Sequence, residues 1–346
     1  MRQLTYTRPG VALREVEDPG NATGSSVKIA IAYASLCGTD LHILRGDFDP
    51  LLGDAPSYPL GHEASGTVLE LGPDATAKGL SVGDPVTFYF NRYCGACHYC
   101  RTGREQFCTS VVATMSFMSD SVILDEQQVF PLPSGMSLAV ASLIEPVSVA
   151  LRGIDLCRIH AGASVAVSGG GGIGQIVARL AQLSGASHVT MIEPVAEKRE
   201  LARRRGVSQT IDPSGEDVAA RAAEITNGLG FDVVIEASGS PRACATAVQV
   251  AGRGATVEFL ATYSPDYTFE LPMGDAFVRE ITLITGVYQS PYLFPRSIAI
   301  APSLDLEDLI SLFAPEDFAD GFAAQGDGRS VKTVFDFTTT KGENHG

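Results

Sequence analysis

Four of the chain's seven cysteines lie in one short loop, where their spacing favours a metal site. Cys94, Cys97 and Cys100 stand three residues apart in CGACHYC, and Cys108 follows after RTGREQF. Four thiolates on so short a loop can converge at about 2.3 Å from one tetrahedral zinc ion. Such a closed site has no open ligand position, so it would brace the loop rather than catalyse a reaction.

Two other uses of these cysteines stay open at this point. A C-x-x-C redox pair needs only two of them, and an iron–sulfur cluster also takes four thiolates. Disulfides are disfavoured because seven is an odd number. The N-terminal MRQLTYTRPG also lacks an apolar secretory core, which indicates the cytoplasm, where thiols stay reduced. His98, inside the loop, is interpreted as an exposed histidine rather than a ligand.

A second set of candidate ligands is spread along the chain. Cys37 stands in LCGTDLHI, His62 and Glu63 in LGHEASG, and Glu145 in SLIEPVSVALRG. Taken singly, Cys37 is an ordinary buried thiol and His62 an ordinary core histidine. Taken together, a sulfur, a nitrogen and an oxygen ligand with one open position are typical of catalytic zinc. The carboxylate of Glu145 lies in an otherwise apolar run, where a cation would give it a partner.

A glycine-rich loop indicates a third site, for a dinucleotide. Gly169, Gly171 and Gly174 match G-x-G-x-x-G between a predicted strand, VAVS, and a predicted helix, IGQIVARLAQLSG. Glycines let the backbone approach a pyrophosphate, which the N-terminus of the helix attracts. The next strand ends at Glu193, whose carboxylate can hold both ribose hydroxyls of NAD and would repel the 2′-phosphate of NADP. The alternative is a flexible turn with a surface glutamate.

Two kinds of element must position these residues. Short β-type runs such as VKIAIAY and PVTFYF fill residues 1 to about 145 and predict a barrel-like or sandwich domain. From about residue 150, strands alternate with helices, which predicts a parallel sheet. One of these helices is expected to begin at Ser240 with Pro241 in its first turn and to end at Gly252. The final residues can return to the first domain.

Composition excludes some partners. The 346 residues are 45% apolar and carry a net charge of −15, with no dense basic cluster. We therefore expect no nucleic-acid partner and no anionic membrane partner. No apolar run reaches the length of about 18 residues that a membrane-spanning helix needs.

In this order the motifs resemble the zinc-dependent medium-chain alcohol dehydrogenases, in particular the branch of sorbitol, threonine and butanediol dehydrogenases. The resemblance covers nearly the whole chain. It depends on six features: CGTDLHI, GHE, the cysteine loop, the EP dipeptide at 145–146, the glycine loop and DVVIEASG. It implies a GroES-like catalytic domain, residues 1–149 and 288–346. It also implies a Rossmann NAD-binding domain, residues 150–287.

The resemblance also implies roles for individual residues. Cys37, His62 and Glu145 would hold the catalytic zinc, with Glu63 able to exchange in, and the four loop cysteines would hold a structural zinc. Thr39 would take the substrate proton and His42 would end a relay to solvent. The implied cofactor-binding residues are Gly169, Gly171, Gly172, Ile173, Gly174, Glu193, Ser238 and Val287. The cofactor would be NAD rather than NADP, and the protein a homodimer or homotetramer.

The expected function is therefore oxidation of a secondary alcohol (a polyol, cyclitol or amino alcohol) with zinc and NAD. The stretch TSVVATMSFMSDSVILDEQQVF after Cys108 and Tyr288-Gln289-Ser290 depart from the family pattern, which indicates a remodelled substrate pocket. An alternative is a biosynthetic dehydrogenase or ketone reductase that acts on a larger modified sugar or a natural-product intermediate. A second alternative is a non-catalytic binding protein with the same fold, which the intact ligand residues disfavour.

Overall fold

The chain consists of two compact units in a computed structural model that describes residues 1–8, 10–48, 57–264, 266–286 and 291–339. The first unit comprises Met1–Pro146 and Gln289–Gly346, and the second comprises Val147–Tyr288. Both ends of the chain thus belong to the first unit.

The first unit is built mainly of antiparallel strands. Its strands are β1 (Arg2–Thr7), β2 (Gly10–Glu15), β3 (Ser26–Ser35), β4 (Ser57–Pro59), β5 (Glu63–Leu71), β6 (Pro85–Phe88), β7 (Asn91–Arg92), β8 (Val112–Ala113), β9 (Ser121–Asp125), β10 (Val129–Pro131), β17 (Ile310–Phe313) and β18 (Lys332–Asp336). The largest sheet has the order β10-β6-β5-β3-β18-β17, with β9 also paired to β3. Strand β18, near the end of the chain, therefore pairs with β3, near its start.

Short helices complete the first unit. They are α1 (Gly38–Arg45), α2 (His98–Arg101), α3 (Leu138–Ala141), α10 (Leu293–Ile300) and α11 (Phe318–Asp327), and α4 (Ile144–Cys157) begins in this unit and continues into the second. The core of this unit contains fully buried aromatic side chains, among them Phe88, Phe117 and Phe335.

The second unit is a parallel sheet with alternating helices, as the sequence predicts. Its elements are β11 (Ser164–Ser168), α5 (Gly172–Leu183), β12 (His188–Ile192), α6 (Ala196–Arg204), β13 (Gln209–Ile211), α7 (Val218–Ile225), β14 (Phe231–Glu236), α8 (Pro241–Val250), β15 (Ala251–Phe259), α9 (Met273–Val278) and β16 (Thr282–Thr285). The strand order is β13-β12-β11-β14-β15-β16, and every neighbouring pair is parallel. This is the doubly wound order of a Rossmann sheet.

One predicted helix boundary is wrong. Ser240 precedes α8 with Pro241 in its first turn, as expected, but the helix ends at Val250 and β15 begins at Ala251. Gly252 is therefore a strand residue. A Cβ there would lie 2.7 Å from the Leu229 carbonyl oxygen, so close backbone approach, and not a helix end, requires the glycine.

No helix in the part of the chain that the structure describes is long and apolar enough to cross a bilayer.

Candidate active site and metal centres

Helix α1 fixes the position of Cys37. Cys37 is the N-cap residue of this helix, with an extended backbone (φ −87°, ψ 155°). The Asp40 carboxylate accepts a hydrogen bond of 3.0 Å from the Cys37 amide, which ties the cap to the first turn. The Cys37 sulfur is thus held at the start of the helix, 3.5 Å from the Thr39 hydroxyl oxygen.

The register between β3 and β5 brings His62 and Glu63 close to Cys37. Antiparallel pairing sets Ser35, at the end of β3, opposite Glu63, at the start of β5. The chain enters β5 through Gly61, whose φ of +92° favours glycine. A Cβ at Gly61 would lie 2.7 Å from the Met118 amide nitrogen, so the turn has no room for a side chain.

Cys37, His62 and Glu63 form a compact donor set. One ligand atom from each lies within 4.8 Å of the other two. Burial lowers the pKa of His62, but the charges of Cys37, Asp40 and Glu145 raise it well above its ordinary value overall. The Nδ1 atom of His62 is buried and has no hydrogen-bond partner among the described residues. A thiol, an imidazole with an unpartnered ring nitrogen and a carboxylate, two of them buried, form a donor set that fits a zinc ion.

Glu145 lies nearby but outside that set. It is in the first turn of α4 and 4% exposed. Its charge helps to raise the pKa values of His62 and Lys332. The set of ligand atoms that lie within 4.8 Å of one another does not include Glu145.

Sequence reasoning missed Lys332. Its buried ammonium group on β18 lies 2.5 Å from Glu63 Oε2 and donates to the Leu36 carbonyl at 2.9 Å. Ser35 Oγ also donates to Glu63 Oε2. Lys332 is 296 positions from Leu36 in the sequence, and no local motif marks it. The only available signal was a lysine inside an apolar strand, VKTVF.

Thr39 and His42 lie three residues apart on α1, a spacing that puts them on one side of the helix. His42 Nδ1 lies 2.7 Å from Asp47 Oδ2, and the His42 ring contacts Phe48 with centroids 5.6 Å apart. Asp47, which sequence reasoning did not consider, therefore fixes the orientation of the imidazole.

The four loop cysteines also converge. Their sulfurs all lie within 4.8 Å of one another. The sulfur distances of 3.5 Å from Cys97 to Cys100 and from Cys94 to Cys108 are far longer than the ~2.05 Å of a disulfide. The backbone amides of Cys100 and Thr109 lower the pKa of Cys97 to about 6. Burial raises the pKa of Cys100, so the thiolate is favoured at Cys97 and not throughout the cluster. The convergence of four sulfurs fits a tetrahedral metal ion.

His98 takes no part in this cluster. It is exposed, and its Nε2 lies 3.0 Å from an Arg104 guanidinium nitrogen.

The glycine loop joins β11 to α5. Gly169 has a φ of +102°, and a Cβ at Gly174 would lie 1.8 Å from the Gly169 carbonyl oxygen. Helix α5 begins at Gly172, with Gly171 as its N-cap residue and Ile173 in its first turn. This turn leaves the helix N-terminus open for an anion.

Glu193 follows β12 directly and turns towards the glycine loop. Its Oε2 accepts from the Gly170 amide at 2.5 Å, and its Oε1 accepts from the Val195 amide at 2.8 Å. Ser238 lies after β14, and its amide and hydroxyl both donate to Glu236. The predicted cofactor residue Val287 and the segment Tyr288-Gln289-Ser290 lie outside the described residues.

Comparison with known proteins identifies the class. Residues 23–134 match the alcohol dehydrogenase GroES-like domain, and residues 172–303 match the zinc-binding dehydrogenase family. An L-threonine 3-dehydrogenase from Pyrococcus horikoshii is 33% identical over 97% of this chain and 98% of its own length. A 2-dehydro-3-deoxy-L-galactonate 5-dehydrogenase from Pseudoalteromonas atlantica is 31% identical over 86% of this chain and 87% of its own.

A solved structure agrees with this. A zinc-binding dehydrogenase from Sinorhizobium meliloti, bound to NADP, superposes with a TM-score of 0.88 at 28% identity, covering 97% of this chain and 98% of the other. The chain belongs to the zinc-dependent medium-chain alcohol dehydrogenase family. It is an NAD(P)-dependent oxidoreductase of alcohols, and the predictions of family, fold class and enzyme activity are confirmed.

Proposed function

We propose that this dehydrogenase oxidises a secondary alcohol of the polyol, cyclitol or amino alcohol class and reduces NAD. The observation that carries the proposal is the convergence of Cys37, His62 and Glu63, with the Thr39 hydroxyl beside the Cys37 sulfur. The relatives support the substrate class. Carbon 3 of threonine, at which the Pyrococcus relative acts by name, bears a secondary hydroxyl.

In this proposal Cys37, His62 and Glu145 hold the catalytic zinc, and the four loop cysteines hold the structural zinc. Bound at the first site, zinc supplies Lewis-acid stabilisation of negative charge on the substrate oxygen. We assign Glu145 as the third ligand because Glu63 Oε2 already accepts from Ser35 and Lys332. Glu63 then remains a carboxylate beside the site that is able to exchange in.

The zinc content of two variants tests this assignment. Glu145→Gln should lose one zinc equivalent and nearly all activity, whereas Glu63→Gln should retain two zinc ions. The reverse pattern would make Glu63 the third ligand.

Thr39 and His42 supply the path for the substrate proton. As the Thr39 hydroxyl accepts the proton of the alcohol, it gives up its own proton to the next member of the relay. His42, at the end of the relay, takes up a proton and releases it to solvent. The carboxylate of Asp47, 2.7 Å from His42 Nδ1, holds the His42 ring in one orientation. Phe48 contacts the same ring and restricts its motion further.

The residues around Glu193 favour NAD over NADP. NAD supplies the hydride acceptor, and its adenosine ribose would meet the carboxylate that follows β12. The Arg199 guanidinium is occupied: it donates to the Glu193 and Pro194 carbonyls at 2.7 Å and pairs with Asp212 at 3.0 Å. Arg199 is therefore not free to pair with a 2′-phosphate. We expect kcat/KM with NAD to exceed that with NADP by at least about tenfold.

The experiment that tests the function is NAD reduction by the zinc-loaded protein on a panel of polyols, cyclitols, amino alcohols and simple secondary alcohols. Each assay is run with and without a chelator. Turnover of one class that the chelator abolishes would support the proposal and name the substrate class. If NADH binds and two zinc ions are present but no compound on the panel reacts, the result overturns this substrate class and favours a dedicated biosynthetic substrate. Turnover that survives removal of all zinc would overturn the metal assignment.

We also propose that two chains associate through the edge of the second unit. Strand β16 is the last strand of the sheet and pairs only with β15 among the described strands. Helix α9, which precedes it, exposes Met273, Phe277 and Val278, and β16 itself exposes Leu283. An unpaired strand edge beside exposed apolar side chains is typical of a surface that a second copy covers.

A further inference from the structure

The second unit contains a buried carboxylate that the proposed mechanism does not use. Glu236 is the last residue of β14 and is fully buried. Its Oε1 accepts from the Ser238 amide at 2.8 Å, the Ser238 hydroxyl at 2.5 Å and the Gly239 amide at 3.2 Å. The side chain therefore folds back on the loop that follows its own strand and fixes residues 237–239.

The second oxygen of Glu236 holds the neighbouring loop. Tyr263, which lies beyond the end of β15, donates its hydroxyl to Oε2 at 2.5 Å. The amides of Leu260 and Ala261 donate to the Glu236 carbonyl at 2.8 and 3.2 Å. One residue thus ties together the two loops at the carboxyl ends of β14 and β15. Hydrogen bonds to an ionised acceptor are stronger than those between neutral groups.

The 237–239 loop lies directly against the glycine loop. The Ala237 amide donates to the Ser168 carbonyl at 2.8 Å. A Cβ at Gly169 would lie 3.0 Å from both the amide nitrogen and the Cβ of Ser238. Residues 237–239 thus form a wall beside Gly169, the first glycine of the motif. A small displacement of this loop would change the shape of that wall.

Topology assigns this wall to one half of the cofactor. The strand order reverses between β11 and β14, and a dinucleotide binds across the crevice at that point. Glu193, after β12, marks the adenosine side. The loops after β14 and β15 lie on the opposite side of β11, which is the side of the nicotinamide half.

We propose that Glu236 and Tyr263 are positioning residues that hold the 237–239 loop in place for the nicotinamide half of the cofactor. This inference rests on the proposed cofactor site. Neither residue takes part in proton or hydride transfer. Their effect is on the position of the 237–239 loop, so it should appear in binding of the complete cofactor and not in binding of ADP-ribose, which lacks the nicotinamide ring.

The test compares two tyrosines that both contact Cys244, of which Tyr263 bonds Glu236 directly and Tyr267 does not. Tyr263→Phe removes only the hydroxyl that bonds Glu236. Tyr267→Phe removes the same atom from a ring 4.8 Å away, where the hydroxyl donates to the Cys244 sulfur at 3.2 Å. The zinc-loaded variants are titrated with NADH, followed by its fluorescence, and with ADP-ribose, which lacks the nicotinamide, by competition.

We expect Tyr263→Phe to weaken NADH binding about tenfold, the effect of losing one hydrogen bond to a charged group. Its affinity for ADP-ribose should stay within about twofold of wild type, and Tyr267→Phe should leave both affinities within that range. Unchanged NADH binding in Tyr263→Phe, equal weakening of both ligands, or an equal effect of Tyr267→Phe would each overturn the proposal.

Glu236→Gln provides a second test should Tyr263→Phe fail to fold. It keeps the shape of the side chain and removes its charge, and it should show the same selective loss of NADH affinity. A wild-type protein that binds neither NADH nor ADP-ribose would overturn the cofactor site itself, which is a different outcome from selective failure of this inference.

Discussion

Lys332 brings a buried positive charge to the cluster of Cys37, His62 and Glu63. Burial lowers the pKa of its ammonium group, but Glu63 and Cys37 raise it above its ordinary value overall. The lysine and Glu63 are both almost fully buried, so neither charge has solvent to stabilise it. Each is held in the interior chiefly by the other.

Lys332→Met should therefore destabilise the zinc-loaded protein by about 3 kcal/mol, because it leaves Glu63 buried without its cation. The measurement is urea unfolding followed by circular dichroism. The double variant Lys332→Met/Glu63→Gln removes both charges and should recover most of the loss. Additive effects of the two single changes would contradict the pairing.

Glu258 is another buried carboxyl group. Unlike Glu63, it has no cation within hydrogen-bond distance among the described residues. It lies on β15 in the second unit, where its Oε2 accepts from the Cys157 thiol at 3.1 Å and its Oε1 has no partner among the described residues. Burial raises the pKa of Glu258, although the Cys157 hydrogen bond and the charge of Arg152 partly oppose this. Folding thus shifts the equilibrium of Glu258 towards its protonated form, relative to the unfolded chain.

Because the pKa of Glu258 is higher in the folded than in the unfolded chain, its protonation stabilises the fold at low pH. That contribution is lost as pH rises above the unfolded value of 4.5 and through the folded value. Glu258→Gln should therefore raise Tm by about 2–4 °C near pH 8 and by much less near pH 5. Differential scanning calorimetry at both pH values, with exposed Glu17→Gln as the control, measures this. A Tm gain that does not depend on pH would contradict it.

At the scale of elements, the β11–α5 turn depends on two glycines in different ways. Gly174 lies in α5, where a Cβ would collide with the Gly169 carbonyl oxygen at 1.8 Å. Gly171 lies at the helix N-cap with an ordinary φ of −70°, and a Cβ there would meet no atom within 4 Å. Gly174 is needed for close packing of the helix against the start of the loop, whereas Gly171 leaves open space for a ligand.

Gly174→Ala should lower Tm by several degrees, since either the loop or the helix must move to admit the methyl group. Gly171→Ala should leave Tm within about 1 °C and weaken NADH binding, because its methyl group enters the space reserved for the pyrophosphate. Thermal unfolding without cofactor and NADH titration separate the two effects. A stable Gly174→Ala variant would show that the collision relaxes without cost.

Elements also show what the sequence could and could not predict. The alternation of strands and helices after residue 150 predicts the parallel sheet because each element has its own periodicity and its own stop signals. Gly252 was assigned to a helix end because glycine commonly ends helices, whereas here it serves a close approach to Leu229. Cys37, His62 and Glu63 were found through motifs. Lys332 was not, because only tertiary pairing brings it to Glu63. Asp47 is close to His42 in the sequence and Glu236 stands inside DVVIEASG, but neither motif indicated which groups these carboxylates would bond.

At the scale of the whole molecule, charge and exposed apolar surface act in opposite directions. A net charge of −15 makes two copies of the chain repel each other. Phe277 is 78% exposed and Val278 62% exposed on α9, next to the unpaired edge of β16. Burial of such side chains is worth about 25 cal/mol per Å², and strand pairing adds directional hydrogen bonds. The forces that favour association should therefore act only at contact, whereas the charge repulsion acts at longer range. Added salt should strengthen association by screening that repulsion.

We expect the wild-type protein to sediment as a dimer or larger oligomer in ~0.15 M salt, and the double variant Phe277→Asp/Leu283→Lys to sediment as a monomer. The new charges would have to be buried unpaired at the interface, which costs several kcal/mol. Leu229→Asp is the matched control, because Leu229 is equally exposed (79%) in the same unit but belongs to neither α9 nor β16. Analytical ultracentrifugation over a range of concentrations gives the masses. If the double variant keeps the wild-type mass, the chains associate through another surface; if Leu229→Asp also dissociates, the effect of charge is general and not specific to this edge.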